Sequence, residues 1–287
     1  VTRASRTAVL VCQARAVADG RLAVGRFADP VAVRLLDENE RRPVESARGG
    51  RIDDWRDRIV NEFLLSTVDV LVSRTVTIDD AVRVAGHSQV VVLGAGLDAR
   101  AWRMAELSNA TVFEVDQPAS QAEKRRRTAD VEPVASRVAF VPVEFGVDDL
   151  CAALTAADHD PNRPTTWIWE GVLPYLTDTQ VGATLRDIAV ASCPGSTLIA
   201  TYPTRHRVGG LLNLGLKLIF AIANRPNPMA SERHVSAWTP DRMRDILADH
   251  GFSVTSDVGQ ADAASDLDYV PHRPDTMARG RIVVAVR

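Results

Sequence analysis

The sequence predicts an α/β protein built on a mostly parallel, Rossmann-like sheet with helices on both faces. Three observations predict it. From residue 88 onward, seven short apolar runs alternate with helix-length stretches. Those runs are continuously apolar, the mark of strands covered on both faces. The first run ends in Gly94-Ala95-Gly96 and the second in Asp116, a pairing that suits a nucleotide site at the strand ends. The chain has 287 residues, 46% hydrophobic and 25% charged. These ordinary globular values exclude disorder, collagen and coiled coil as whole-chain readings and allow one or two domains.

The elements follow in order. Residues 1–85 read as a helical cap with no strand. A helix spans 7–19, and Asp29-Pro30 opens a short one through Leu36. Residues 37–51 are charged and rich in turn formers (Pro43, Gly49, Gly50) and read as a loop. Residues 52–74 place Ile59, Phe63 and Val70 at helical spacing, and a separate helix covers 78–85. The cofactor-binding core, 86–202, alternates strands at 89–93, 111–115, 138–143, 166–169 and 196–202 with helices at 98–107, 118–129, 147–156 and 177–191. Residues 203–238 are a long insertion holding a mostly apolar helix at 208–224, read as buried or lid-like. The core resumes over 239–287, with a helix at 240–250 and strands at 252–258 and 281–286. No helix separates those last two strands in this reading, so an antiparallel strand at the sheet edge is expected.

Composition also narrows function. With 34 basic and 37 acidic residues the net charge is −3, and nothing in that balance calls for nucleic acid or an anionic membrane. Cys12, Cys151 and Cys193 are odd in number and widely spaced. A disulfide framework or zinc site is therefore not expected, and a reducing cytoplasm is. The six histidines form no H-E-x-x-H or H-x-H, so no metal is expected. The apolar run at 8–12 meets Gln13 and Arg15, too soon for a signal peptide. Residues 208–224 contain Lys217 and fall short of the roughly 20 apolar residues of a membrane span.

The strand–turn–helix VVVLGAGLDAR (90–100) carries the sharpest motif. Glycines there let the backbone approach a ligand. Asp116, twenty residues past Gly96, can accept hydrogen bonds from both hydroxyls of a ribose. Two cofactor classes fit. Ala99 fills the third position of a dinucleotide G-x-G-x-x-A pattern, which admits NAD. Asp98 opposes it, because an acid at the helix start repels a pyrophosphate. S-adenosylmethionine has no phosphate and tolerates the acid, which can attract its cationic groups or anchor an arginine.

Several spaced motifs together resemble the leucine carboxyl methyltransferase-like family. They are GAGLDAR (94–100), VFEVDQP (112–118), WIWEG (167–171), PYL (174–176), Arg74-Thr75 with Asp79-Asp80, and residues 5–16. They are most similar to its actinobacterial branch of S-adenosylmethionine-dependent O-methyltransferases. The resemblance implies a class I methyltransferase fold: a seven-stranded sheet, a helical N-terminal cap and a helical insertion after strand 5. It implies that Gly94, Ala95 and Gly96 line the methionine part of S-adenosylmethionine. Asp116, with Gln117 beside it, would hold the ribose, Arg74 the carboxylate and Glu170 the amino group. Glu144 and Phe145 stand where the branch has Asp-Leu against the adenine. Val76 departs from the branch's R-T-R element.

The implied activity is methyl transfer to an oxygen of a small-molecule acceptor, a carboxylate or a polyketide-like compound. Alternatives are a nicotinamide-dependent oxidoreductase and an S-adenosylmethionine-binding protein without catalysis. For acceptor contact or base catalysis the candidates are Tyr202, Arg205 and His206 in YPTRH, with His234 weaker. Arg100 is expected to pair with Asp98 or Glu114. Residues 124–127 (KRRR) are expected on a solvated helix face, and Trp102, Trp167 and Trp169 in the core.

Overall fold

The computed structural model describes residues 5–50, 52–204, 235–278 and 280–287. Arg205, His206, His234 and the 208–224 helix lie outside the described residues. Seven strands, β1 (Gln89–Leu93), β2 (Thr111–Asp116), β3 (Arg137–Pro142), β4 (Thr165–Trp169), β5 (Thr197–Pro203), β6 (Ser253–Gly259) and β7 (Gly280–Val286), form one sheet. Their order is β3-β2-β1-β4-β5-β7-β6. The first five pair in parallel, while β7 runs antiparallel between β5 and β6. The antiparallel strand is therefore inserted rather than at the edge, where β6 lies. Two short helices, Gln260–Ser265 and Pro274–Met277, turn the chain back for that insertion, in a stretch the sequence reading left without helix.

Continuous apolar strands feed two layers. Val90, Val92, Val112 and Ile168 face one core, and Val91, Leu93, Phe113, Trp167 and Trp169 the other. Burying each such large side chain contributes about 1.5–3 kcal/mol. On the first face lie α1 (Arg6–Ala18), α2 (Glu38–Gly49) and α3 (Trp55–Ala85). On the second lie α6 (Leu150–Ala156), α7 (Asp178–Val190) and α8 (Pro240–Asp249), with α4 (Arg100–Arg103) and α5 (Pro118–Thr128) between them in the chain. Trp102, Trp167 and Trp169 are core residues, as expected.

Four local readings change. Residues 38–49 are helix, not loop: Asp37 N–H donates to Glu40 Oε2 at 2.9 Å in a capping box, which fixes the first turn, and Pro43 is accommodated in the second. The two helices expected at 52–74 and 78–85 are one, α3. Its β-branched stretch at 75–78 is held by burial of Thr75, Val76 and Ile78, which overrides propensity. The helix expected at 98–107 breaks at Met104, whose backbone is extended (φ −89°, ψ 110°). The helix expected from 147 starts at Leu150, because Asp149 caps it by accepting from Ala152 N–H at 2.9 Å.

Residues 124–127 are not a uniformly solvated face. Lys124 is buried, donates to Glu114 at 2.6 Å and lies 5.0 Å from the Trp102 ring centre. Arg127 is buried too, joining α5 to α2 through Glu40 at 2.5 Å. Arg125 and Arg126 stay exposed.

Candidate functional site

A cavity of about 1400 Å³ opens at the carboxyl ends of β1, β2, β4 and β5, where open α/β sheets bind ligands. Its volume exceeds that of a typical single-ligand pocket, leaving room for two molecules. The β1–α4 turn forms its floor. Gly94 and Gly96 take φ of +67° and +47°, a region side chains disfavour. A Cβ on Gly94 would meet Val172 Cγ2 at 2.3 Å, and one on Gly96 would press on Ala8 of α1 at 3.3 Å. Asp116, at the end of β2, spans this turn: Oδ2 accepts from Gly96 N–H at 2.6 Å and Oδ1 from Gln117 N–H at 2.7 Å. Each oxygen keeps a lone pair for a ligand hydroxyl.

The other wall is charged. Arg74 of α3 donates from Nε to Glu170 Oε1 at 2.7 Å, just past β4. Behind them Arg100, 1% exposed, donates to Asp79 and Glu170 at 2.8 Å each and to Asp98. Arg103 holds Asp79 at 2.7 Å, and Asp29 lies between Arg103 and Arg15. Four arginines (15, 74, 100, 103) thus face four acids (Asp29, Asp79, Asp98, Glu170). Burial raises the Glu170 pKa, but Arg74 and Arg100 outweigh it and hold the carboxyl at about 2. Asp98 is likewise held well below the usual range, burial being overcome by Arg100, Arg15 and Lys124.

Every residue expected at the cofactor lines this cavity: Gly94, Ala95 and Gly96 on the floor, Asp116 and Gln117 at its side, Arg74 and Glu170 opposite, Glu144 and Phe145 after β3. Arg100 pairs with Asp98, as one of the two expected partners, and not with Glu114, which Lys124 occupies. Tyr202 also lines the cavity, but its hydroxyl donates to Asp257 at 2.6 Å. Burial and that carboxylate push the phenol well above its usual pKa, so it is a poor base at neutral pH. Arg205 and His206 lie outside the described residues.

The sequence reading missed two features. Phe63, Thr67, Val70, Leu71 and Arg74 form one face of α3 turned into the cavity; their i, i+4, i+7, i+8, i+11 spacing was a legible signal. Gln260, after β6, also lines it, and no local pattern marks it.

This geometry accommodates the two charges of an α-amino acid beside the paired Arg74 and Glu170, and a diol on Asp116. Among the described residues it offers no pyrophosphate site at the start of α4. The first N–H of α4, from Arg100, is already taken by Asp98 Oδ1 at 2.7 Å, so the helix start that would cradle phosphate is self-capped. A model of the family described as leucine carboxyl methyltransferase matches residues 8–189.

The chain belongs to the leucine carboxyl methyltransferase family.

Its relatives agree. A protein of Mycolicibacterium vanbaalenii is 31% identical over 239 residues, covering 74% of this chain and 76% of the relative. One of Streptomyces coelicolor is 34% identical, covering 67% and 62%. One of Mycolicibacterium smegmatis is 42% identical over 115 residues, covering 40% and 36%. All three are named as S-adenosyl-L-methionine-dependent methyltransferases. The matches with the last two span roughly one to two thirds of those curated relatives' length. Solved structures share the fold. A DUF574 family protein from Streptomyces avermitilis has a TM-score of 0.57 at 13% identity, covering 100% of this chain and 98% of that one. Magnesium protoporphyrin IX methyltransferase from Synechocystis, solved with bound S-adenosylhomocysteine, has a TM-score of 0.50 at 15% identity, covering 90% and 100%. No helix among the described residues is long and apolar enough to cross a membrane.

Proposed function

We propose that this member of the family transfers a methyl group from S-adenosylmethionine to an oxygen of a small-molecule acceptor, in the cytoplasm. The observation that carries the reading is the convergence of Asp116, the Gly94–Gly96 turn and the Arg74–Glu170 pair in one cavity with a second, more apolar half. The donor set fits the cofactor group by group. Asp116 would hold the ribose hydroxyls, Arg74 the carboxylate and Glu170, ionised at neutral pH, the ammonium. Glu144 and Phe145 would border the adenine, with Gln117 beside Asp116. When bound, the cofactor supplies a methyl carbon already activated by its sulfonium.

The chain's own task is then to place the acceptor oxygen in line with that carbon and to exclude water, which accounts for most of such rate enhancements. Among the described residues no histidine lines the cavity. An oxygen already ionised at pH 7 needs no base, and the family's description as leucine carboxyl methyltransferase favours such a carboxylate acceptor.

Titration of S-adenosylhomocysteine into wild type and Asp116→Ala tests the assignment. Losing two charge-assisted hydrogen bonds predicts weakening by about 2–3 kcal/mol with the circular dichroism spectrum retained. An unchanged Kd in a folded variant would remove Asp116 from the site.

A further inference from the structure

Among the described residues, the six charged ones that line the cavity, Arg15, Arg74, Asp98, Asp116, Glu144 and Glu170, all belong to the proposed cofactor side. Away from them the described wall is uncharged. Phe63, Val70 and Leu71 of α3 give it an apolar surface, and Phe63 lies eleven residues before Arg74, about 16 Å along the helix. Hydroxyls there have spent their protons: Ser66 and Thr67 donate to Phe63 O at 2.8 Å, and Thr276 to Arg273 O at 2.7 Å.

Gln260 differs from all of these. It is 4% exposed, it lines the cavity, and no described residue bonds its side-chain amide. It is packed against Gly280 so closely that a Cβ there would lie 2.2 Å from Oε1 and 2.8 Å from Nε2. Its amide atoms are not sealed in the core but keep contact with the cavity, where a ligand can reach them.

Resting on the methyltransferase reading, we propose that Gln260 binds the end of the methyl acceptor remote from the reacting oxygen. Sheet geometry sets the distance. Gly280 begins β7, two strands from β4 and Glu170, which at 4.7–4.9 Å per strand is roughly 10 Å. The amide therefore meets the far end of the acceptor, while the body lies along Phe63, Val70 and Leu71. The group it meets is neutral. Asp257 and Arg281 nearby are already paired at 2.9 Å, so a charge buried beside Gln260 would lack a counter-charge. An amide both donates and accepts, so a carbonyl, hydroxyl or carboxamide on an apolar body is the matching chemistry.

Two neutral probes test this on the full chain saturated with S-adenosylhomocysteine. Benzamide presents a carboxamide on a ring; ethylbenzene presents the ring alone. Benzamide is expected to bind wild type and to bind Gln260→Met at least about tenfold more weakly, the effect of losing one or two hydrogen bonds. Gly280→Ala, which keeps the amide but displaces it, should weaken benzamide similarly and guards against a misfolded Gln260→Met. Ethylbenzene affinity and S-adenosylhomocysteine affinity should stay within about threefold in both variants, and Gln260→Met should melt no lower than wild type. Failure of wild type to bind benzamide, or equal binding by both variants, would overturn the proposal. Failure of wild type to bind S-adenosylhomocysteine would instead overturn the reading beneath it.

Discussion

Arg100 is cut off from water, and its charge is shared among Asp79, Asp98 and Glu170. Buried ion pairs seldom add net stability over apolar packing, yet removing one partner is costly. The four-arginine, four-acid cluster is therefore better understood as an orienting frame, which fixes Arg74 and Glu170 at the cavity wall. It also makes acid a specific threat. Glu170 titrates at about 2 in the fold against roughly 4.3 in an unfolded chain. Its contribution is thus complete above the unfolded value and is lost as pH falls from about 4.5 through 2, amounting to roughly 3 kcal/mol. Urea unfolding of wild type and Glu170→Gln from pH 6 to 2.5 checks it. The wild-type advantage should shrink steadily below pH 4.5; a flat difference would mean the arginines do not hold Glu170 ionised.

At the scale of elements, α3 does the most. It carries Phe63 and Val70 to the apolar wall of the cavity, Arg74 to Glu170 and Asp79 to Arg100. The split expected from the sequence falls near residue 75, where R-T-V-T-I is a poor helical stretch by propensity. What propensity could not convey was that Val72, Val76 and Ile78 are buried against neighbours distant in sequence. Thr77→Pro separates the two views. In a continuous helix it removes an interior hydrogen bond and clashes with the preceding turn, costing about 3 kcal/mol or more. Because Arg74 and Asp79 flank the break, S-adenosylhomocysteine binding should weaken as well. Two helices joined at a loop would tolerate the substitution with little change in either melting temperature or affinity. The α2 helix was missed for the reverse reason: Pro43 and the Gly49-Gly50 pair suggested a loop, while the decisive Asp37–Glu40 box is a local signal that was present and unread.

For the whole molecule, the seven strands were legible to within a residue at each end, because a strand buried on both faces must be apolar throughout. The juxtaposition of the Gly94–Gly96 turn with Asp116 was also legible, since a G-x-G turn and a strand-end acid twenty residues on are local motifs that the parallel sheet brings together at one cavity. Insertion of β7 between β5 and β6 was not, because strand order depends on connections rather than on composition. Nor were the buried Lys124 and Arg127, whose charge reads as surface until Glu114 and Glu40 are seen beside them. Gln260 is the extreme case, an ordinary residue given meaning only by the cavity it faces.

The central claim is that this cavity is built for S-adenosylmethionine and not for a dinucleotide, and side-by-side calorimetric titration with S-adenosylhomocysteine and NAD tests it most directly. Saturable one-to-one binding of S-adenosylhomocysteine is expected, with no heat of binding for NAD, whose pyrophosphate would meet a helix start already capped by Asp98. Binding of NAD without S-adenosylhomocysteine would contradict it.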